Sequence, residues 1–406
     1  TDGLDIYIDR VTVKYSGLNS TELAISESQE RMSVVVAPED AERFKEYCRS
    51  ENVEVTHVAD VTDTRRMRMY NGGRLVVDLK RSFIDSAGAR HYAKACIGAV
   101  EDIDPFRREV AGESLKDKLN NNLKDPNVVS QKGLIEMFDS TIGRSTVLMP
   151  YGGELQLTET QVSVQKLPTD GYTDTASIMA FGFNPVISKW SPYHGAAYSM
   201  VEACAKVVAA GGHYEKMRFS CQEYFERMTH DPKVWGKPMS ALLGSLKMQI
   251  ELGLPSIGGK DSMSGTFEHI NVPPTLISFG ITTVDANKVI SPELKWEGNQ
   301  LYLIKHTPRA DRMPDVDQLK KNWAYVTEQI EAGNIVSAWA VGFGGVAEAL
   351  CKMSFGNAFG VDVKIPENEL FDYSYGSIVV ESEGSLDFEN AEYLGLVTAG
   401  VDDCLR

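Results

Sequence analysis

One segment constrains the fold more than any other, because residues 195–210 are almost wholly small or apolar. So apolar a stretch predicts a helix that is buried among other elements on all sides. Its polar exceptions, Glu202 and Lys206, are four residues apart and so share one face of that helix. A buried carboxylate needs a cation, a metal ion or a proton. We favour an ion pair between Glu202 and Lys206, and a metal ligand remains the alternative.

The patterns around this helix predict several α/β units. Alternating apolar residues at Ile6 and Ile8 and apolar runs at 33–37 and 53–58 predict strands. A helix is predicted over Pro38–Arg49, because proline and acidic residues mark its first turn. Changes in residue composition along the chain predict four segments: 1–95, a charged connector 96–125, 126–295 with the apolar helix, and 296–406.

Two segments also resemble each other. Residues 30–36 precede an acidic stretch and then 58–62, and residues 375–381 precede an acidic stretch and then 393–398. The similarity favours an internal duplication. Any two strand–helix–strand units share such a pattern, so coincidence stays open as the alternative.

Length and charge exclude several classes of function. The chain has 406 residues, which corresponds to two or three domains. Its 41 Lys+Arg and 57 Asp+Glu give a net charge of −16, which argues against nucleic acid or an anionic membrane as the main partner. Apolar runs are too short for a membrane span, no secretion signal is recognisable, and the six cysteines lack C-x-x-C spacing. We therefore expect a cytoplasmic protein with reduced thiols.

The sharpest polar motif lies in Pro255–Gly265. Its glycines allow a close backbone approach to a ligand, and Lys260 supplies a point charge for phosphate. Asp261 is suited to Mg²⁺, and Ser262 is a hydrogen-bond donor. The spacing differs from that of a Walker A loop. A phosphate-binding loop and a plain glycine turn with a surface Lys–Asp pair both remain open.

A second polar run precedes the apolar residues 33–37. Its side chains suit a loop that faces a ligand, with carboxylates as acceptors and a guanidinium as an anion-binding fork. The predicted substrate-binding residues are Glu27, Ser28, Gln29, Glu30 and Arg31. A charged turn that is satisfied by its neighbours is the alternative. A third acidic turn, around Asp170, is suited to a hard cation.

Two of these segments together resemble a known family. Residues 17–32, with Glu-Ser-Gln-Glu-Arg-Met at their end, and Gly259–Ser264, Gly-Lys-Asp-Ser-Met-Ser, are similar to segments of phosphoribosylformylglycinamidine synthase in the same order. The resemblance implies an α+β / α/β fold of the aminoimidazole-ribonucleotide-synthetase type. In it, an N-terminal-type sheet domain is flanked by C-terminal-type α/β sandwich domains. Residues 1–95 would be part of the first repeat's C-terminal-type domain, 126–295 the second N-terminal-type domain, and 296–406 the second C-terminal-type domain.

The resemblance also implies a reaction. The family is an ATP- and magnesium-dependent ligase that makes formylglycinamidine ribonucleotide from formylglycinamide ribonucleotide and glutamine-derived ammonia. The parts that carry its catalytic histidine and its glutaminase cysteine have no match here. The first residue is Thr, and a strand pattern follows at once, so we expect a portion of a longer chain. We therefore assign no catalytic residue, predict that the isolated chain is inactive, and expect the rest of the synthetase and the glutaminase domain as partners.

The family's second repeat carries a structural nucleotide site, and the resemblance assigns residues to it. Lys132, Lys260, Asp261 and Ser262 would bind the nucleotide, and Asp170 and Glu202 would bind the metal. Three positions depart from the family pattern: Lys206 replaces an Asn, and Ala340 and Phe343 replace two acids. We hypothesise that Lys206 replaces the metal's charge. A stand-alone kinase or synthetase of the same fold and a non-catalytic scaffold are the alternative functions.

Overall fold

The computed structural model describes residues 2–14, 16–26, 31–86, 92–137 and 145–400. The chain divides into two compact units, Thr1–Tyr92 and Ala93–Arg406. Within the described residues, no helix is both long and apolar enough to cross a membrane. The predicted boundaries near residues 95, 125 and 295 stay predictions.

The first unit is built on a four-stranded sheet. Its strands are β1 (Gly3–Tyr7), β2 (Ala59–Thr62), β3 (Arg66–Asn71) and β4 (Arg74–Lys80). They lie in the order β2-β1-β3-β4, with β1 antiparallel to β2 and parallel to β3. Its helices are α1 (Ser20–Ile25), α2 (Ala41–Ser50) and α3 (Arg81–Asp85). A capping box of Asn19 and Glu22 fixes the start of α1.

Local patterns predict this unit only in part. The predicted helix is confirmed as α2, which a 3₁₀ turn at Pro38–Asp40 precedes, and β1 confirms the first strand. The strands predicted at 33–37 and 53–58 are wrong, since neither segment has regular structure. A strand needs a paired neighbour; no described strand pairs with 33–37, and of 53–58 only Val58 bonds to β1, where its carbonyl accepts from Tyr7 N at 2.8 Å.

The second unit begins with two short helices and then forms a five-stranded sheet. The helices are α4 (Leu115–Lys124), α5 (Lys132–Ile135), α6 (Pro185–Trp190), α7 (Pro192–Ala209) and α8 (Pro232–Leu252). The strands are β5 (Tyr151–Gly152), β6 (Thr158–Glu159), β7 (Ser163–Lys166), β8 (Thr175–Gly182), β9 (Arg218–Tyr224), β10 (Ser256–Lys260), β11 (Thr266–Phe267), β12 (Ile270–Asn271) and β13 (Thr275–Asp285). The sheet order is β10-β9-β13-β8-β7, and two further pairs are β5-β6 and β11-β12.

A second five-stranded sheet completes this unit. Its strands are β14 (Gln300–Ile304), β15 (Ile335–Ala340), β16 (Gly360–Val363), β17 (Ile378–Ser382) and β18 (Ala391–Thr398). The helices are α9 (Val316–Glu331), α10 (Gly345–Phe355) and α11 (Glu367–Leu370). The sheet order is β15-β17-β14-β18-β16, and all neighbours are antiparallel.

Helix α7 lies at the centre of the main core, as its composition predicts. The core joins residues of α7 to Ile178 on β8, Trp323 on α9 and Ile378 on β17, so both sheets of the second unit pack around one helix. Gly182 ends β8 where a Cβ would overlap the carbonyl oxygen of Ser199. The absent side chain lets β8 approach α7 closely, which positions the polar face of the helix.

The opposite face of the first sheet in this unit is apolar and open. Met179, Phe181 and Ile281 are exposed on β8 and β13, and 52% of the Phe181 surface is accessible. An antiparallel sheet commonly has one solvated face, but that face is usually polar. An apolar face of this kind is typical of a surface that another protein segment covers.

The two segments predicted to be repeats agree only in part, since 58–62 and 393–398 both fall on strands (β2 and β18), whereas 375–381 contains most of β17 and 33–37 has no regular structure. A strand pairing at their flanks is alike. β1 and β2 pair antiparallel with Gly3 opposite Thr62, and β16 and β18 pair antiparallel with Gly360 opposite Thr398. Asp5 and Asp362 hold equivalent positions, two residues after each glycine. This shared register is consistent with a duplication, which stays a prediction.

Candidate functional site

A buried ion pair lies on the polar face of α7. Lys206 Nζ is 2.8 Å from Glu202 Oε1, and the two residues are 9% and 6% exposed. Phe183 N donates to Glu202 Oε2 at 2.8 Å, and Lys206 Nζ donates to the Phe181 carbonyl at 2.9 Å. The favoured sequence interpretation, a pair four residues apart, is therefore what the structure shows.

A second buried network lies on α10. Lys352 Nζ is 3.0 Å from Glu348 Oε1 and 2.7 Å from Glu159 Oε2. Burial lowers the pKa of Lys352, but the two carboxylates outweigh it and raise that pKa overall. The other oxygen of Glu348 accepts from Gly344 N at 2.8 Å, so the N-terminus of α10 is capped by its own side chain.

These two networks meet at Gly342, and we refer to Glu159, Glu202, Lys206, Glu348 and Lys352 as the central charged cluster. A Cβ on Gly342 would lie 3.8 Å from Glu202 Oε1 and 3.7 Å from Glu348 Oε2. Burial raises the pKa of Glu202 although Lys206 and Phe183 N oppose it, and Glu348 raises it further. A cavity beside Lys206 has a volume of about 10 Å³, which holds about one water molecule.

Polar side chains from the connector segment 96–125 cover the turn before α10. Arg108 lies over the Phe343 ring at 5.0 Å and forms an ion pair with Asp125 at 2.9 Å. Asn122 on α4 donates to the Gly344 carbonyl at 2.9 Å. The position where the family has an acid thus holds a ring that is packed beneath a guanidinium. Arg108 and Asn122 are functional candidates that sequence analysis missed, because their partners are over 200 residues away.

Ala340, one of the two positions where the resemblance implies an acid, is buried at the end of β15. Gln161 accepts from Ala340 N at 2.8 Å and donates to its carbonyl at 2.9 Å. This side chain completes the backbone hydrogen bonding at the edge of the strand. The position therefore offers no metal ligand.

The other predicted residues of the nucleotide site lie apart from the central charged cluster. Asp170 lies in an exposed turn before β8 and is not among the partners of Glu202. Lys132 begins α5, donates to the Gln156 carbonyl at 2.8 Å and pairs with Glu136 at 3.3 Å. Among the described residues, no group of three or more His, Cys, Asp or Glu is arranged to hold a metal. The assignment of Asp170 and Glu202 to a metal and of Lys132 to a nucleotide stays a prediction.

The predicted glycine loop is instead an edge strand with a polar end, and we refer to residues 256–264 as the edge loop. Gly258 and Gly259 lie in β10, which pairs parallel with β9. A Cβ on Gly259 would meet the Cys221 carbonyl oxygen, so this glycine serves strand packing. Lys260 and Asp261 are exposed at the strand end.

A buried acid beside the edge loop was missed by sequence analysis. Glu223 on β9 is 7% exposed, and its Oε1 has no hydrogen-bond partner within the described residues. Burial and the nearby Asp261 carboxylate raise the pKa of Glu223 to about 7. The sequence pattern already indicates that Glu223 is buried. In a strand, Glu223 faces the same side as Phe219, Cys221 and Phe225, because these residues are two positions apart.

The structure describes only one residue of the predicted substrate-binding loop, Arg31. Glu27, Ser28, Gln29 and Glu30 lie outside the described residues. Arg31 is exposed, and its Nη2 donates to the Thr12 carbonyl at 2.6 Å. The assignment of this loop to a substrate stays a prediction.

Comparisons with known proteins cover nearly the whole chain. A family model described as AIR synthase related protein, C-terminal domain, matches residues 2–71. The phosphoribosylformylglycinamidine synthase subunit PurL of Thermoplasma acidophilum is 24% identical, with 93% of this chain and 52% of the relative covered. Its counterpart from Aquifex aeolicus is 25% identical, with 96% and 56% covered. The chain thus spans about half the length of the curated relatives that it matches.

Solved structures show the same fold. T. maritima PurL complexed with ATP superposes with a TM-score of 0.68 at 19% identity, over 98% of this chain and 59% of that chain. The complex of T. maritima PurL with FGAR gives a TM-score of 0.68 at 18% identity, over 98% and 58%. The predicted fold class is confirmed by these structures. The predicted resemblance to phosphoribosylformylglycinamidine synthase is confirmed by the relatives that carry that name.

Proposed function

We propose that this chain forms part of an ATP-dependent ligase that makes formylglycinamidine ribonucleotide in de novo purine biosynthesis. One observation carries the proposal: relatives named phosphoribosylformylglycinamidine synthase subunit PurL align with 93% and 96% of the chain. Because the chain covers only about half of each relative, the complete reaction is proposed for a larger assembly that includes this chain.

The proposed substrates are formylglycinamide ribonucleotide, ATP and glutamine-derived ammonia. ATP would activate the formyl amide oxygen, and ammonia would then displace phosphate to form the amidine. Solved structures of T. maritima PurL with ATP and with FGAR support both ligands for the assembly. Such a transfer needs cationic donors around the phosphates and protection from water. Lys260 of the edge loop and the segment Glu27–Arg31 are the parts of this chain that we propose for those contacts.

The central charged cluster supports a structural role for the nucleotide site of this portion. The chemistry of its donors fits a metal poorly, because Lys206 already neutralises Glu202, and Lys352 lies between Glu348 and Glu159. Phe343, Arg108 and Asn122 close the turn where phosphate groups would approach. We therefore propose that internal cations have replaced magnesium and nucleotide at this site.

The open apolar face of the second unit supports the proposed partners. Met179, Phe181 and Ile281 would be covered by another part of the synthetase, because exposure of a continuous apolar sheet face is unfavourable in water. An apolar surface of this kind also favours self-association of the isolated chain.

The test is a comparison of the 406-residue chain with the complete product of its gene. Each is assayed for ATP-dependent amidine formation from formylglycinamide ribonucleotide and ammonium, and the intact mass of the complete product is measured. We expect turnover by the complete product and none by the 406-residue chain alone. Turnover by the 406-residue chain alone, or none by the complete product, would contradict the proposal.

A further inference from the structure

Two apolar runs of the first unit, residues 33–37 and residues 53–58, have no regular structure. Val34 and Val35 of the first run are exposed, and so are most residues of the second. Among the described residues, the one backbone hydrogen bond that joins either run to a strand comes from the Val58 carbonyl. Exposed apolar side chains next to unpaired backbone groups are typical of strands that lack a neighbour.

The second unit contains the counterparts of both runs in a complete sheet. The pairing of β16 with β18 has the same four-residue antiparallel register as the pairing of β1 with β2. This register aligns residues 55–58 with 391–394, the first half of β18. The similarity between residues 30–36 and 375–381 places 33–37 at the position of β17. In the second unit, β14 lies between β17 and β18 and is antiparallel to both.

The aligned positions differ in burial. Val379 and Val380 on β17 are 0% exposed, whereas Val34 and Val35 are 53% and 69% exposed. The order of the strands explains the difference, because the described part of the first unit has no strand in the place of β14. The first unit thus exposes the two apolar edges that β14 joins in the second unit.

Strand β14 shows what kind of segment fits between two such edges. Its residues Leu301, Tyr302, Leu303 and Ile304 are apolar or aromatic, and all four are buried. Tyr302 and Ile304 pack in the main core, and Leu301 and Leu303 pack in a second apolar cluster on the other face of the sheet. A matching segment would be about five residues long, uncharged and apolar on both faces.

Contacts of Thr12 bring the two runs to one side of the first unit. Arg31 lies just before the first run, and its Nη2 donates to the Thr12 carbonyl at 2.6 Å. Thr12 Oγ1 donates to Oε1 of Glu54 in the second run at 3.0 Å. We propose that the first unit binds one apolar strand between residues 33–37 and residues 53–58, antiparallel to both and supplied by another segment of the larger assembly. Main-chain hydrogen bonds would hold the strand, and its alternate side chains would select it.

The test measures hydrogen exchange by mass spectrometry in the 406-residue chain and in the complete product of its gene. The proposal shares with the proposed function the premise of a larger assembly, but this measurement needs no turnover. Amides of both runs should exchange fast in the 406-residue chain and roughly a hundredfold slower in the complete product, because strand hydrogen bonds protect them. Amides of β1 and β3, which pair with each other within the chain, should be protected in both.

One substitution tests whether a single strand covers both runs. Val35→Lys places a charge where the aligned Val380 is fully buried. In the complete product it should therefore accelerate exchange of residues 53–58 as well as of 33–37. It should leave the melting temperature of the 406-residue chain unchanged, because Val35 is exposed there. Leu75→Lys is the matched control: Leu75 is 45% exposed on β4, which already pairs with β3, and exchange of both runs should stay the same.

Three results would overturn the proposal. The first is fast exchange of both runs in the complete product. The second is slow exchange in the 406-residue chain alone, since its own residues or a second copy would then cover the runs. The third is a Val35→Lys variant in which only residues 33–37 exchange faster, since the two runs would then have separate partners. Turnover by a complete product with both runs unprotected would overturn this proposal and leave the proposed function intact, and protection without turnover would do the reverse.

Discussion

Two carboxylates of the second unit, Glu202 and Glu223, are both buried, but only Glu202 has hydrogen-bond partners for both of its oxygens. Burial raises the pKa of both. Glu202 has Lys206 and a backbone N–H as partners, whereas Glu223 forms no ion pair among the described residues and the Asp261 carboxylate raises its pKa further. Both oxygens of Glu202 therefore have partners within the chain, whereas Oε1 of Glu223 has none among the described residues. Burial alone does not identify a binding site, because the same burial accompanies both arrangements.

The position of each acid in the fold explains the difference. Glu202 lies on a helix that two sheets enclose, so every partner it has must come from the protein. Glu223 lies next to β10, the edge strand of its sheet, where a loop can leave a route to solvent. Phosphate-handling folds commonly place such loops at strand ends.

The largest expected effect comes from removing the internal cation. Lys206→Met leaves Glu202 buried without its partner, and we expect it to lower the free energy of unfolding by roughly 3–5 kcal/mol. Urea denaturation measures this. Lys247→Met is the matched control, because Lys247 and Glu251 form a more exposed pair at the same spacing, and it should cost less than about 1 kcal/mol.

A double variant sharpens this test. Glu202→Gln combined with Lys206→Met removes both charges and should recover most of the loss, since no unpaired charge remains. If Lys206→Met costs no more than Lys247→Met, the central cluster is not held together by this pair.

Lowering the pH should reduce the free energy of unfolding, because His306 is buried as a neutral ring and acid protonates it. His306 Nδ1 donates to the Tyr375 carbonyl at 2.8 Å, and Asp315 N donates to Nε2 at 3.0 Å, which suits a neutral ring. Burial lowers the pKa of His306 from 6.5 to about 4. Its contribution to stability is therefore complete above pH 6.5 and is lost as the pH falls toward 4, by about 3 kcal/mol.

The measurement compares unfolding free energies at pH 7 and pH 4 for the unmodified protein and His306→Gln. Other acids titrate in both proteins, so the difference between the two pH profiles isolates His306. We expect the unmodified protein to lose more stability than the variant. Parallel profiles would show that His306 is not held neutral by its surroundings.

Removing the charge of Glu223, beside the edge loop, should change the free energy of unfolding less than Lys206→Met does, and in the opposite direction. In buffer without divalent cations, Glu223→Gln should leave stability unchanged or raise it by about 1 kcal/mol, because it removes an unpaired buried charge. A large loss of stability in Glu223→Gln would show that the Glu223 carboxylate has stabilising partners within the chain, as Glu202 does.

The outer face of the sheet gives the smallest expected change in stability. Met179→Ser replaces an exposed side chain of that face and should alter the free energy of unfolding by about 0.5 kcal/mol. It should nevertheless reduce self-association of the chain, which light scattering over a concentration series detects. Unchanged association in this variant would show that the apolar face is not the contact surface.

Sequence patterns predict the enclosed part of the site well and the open part poorly. The apolar composition of α7 predicts its burial, and helical spacing predicts the Glu202–Lys206 pair, because both depend on one element. The contacts of Arg108 and Asn122 depend on folding across more than 200 residues, which local patterns do not encode.

The errors have a common physical cause. The glycines at 258 and 259 resemble a turn, but both lie in an edge strand, and at Gly259 the close approach of the Cys221 carbonyl oxygen leaves no room for a Cβ. The apolar run at 33–37 resembles a strand, but no described neighbour pairs with it. In each case the neighbouring element decides the outcome.

Crystals grown with Mn²⁺ and ADP test the contrast between the two regions most directly. Anomalous scattering locates Mn²⁺ independently of how the protein chain is built. We predict that Lys206 remains paired to Glu202 and that neither Mn²⁺ nor ADP lies beside that pair. Mn²⁺ and ADP bound together at Asp170 and Glu202, with Lys206 displaced, would contradict the account.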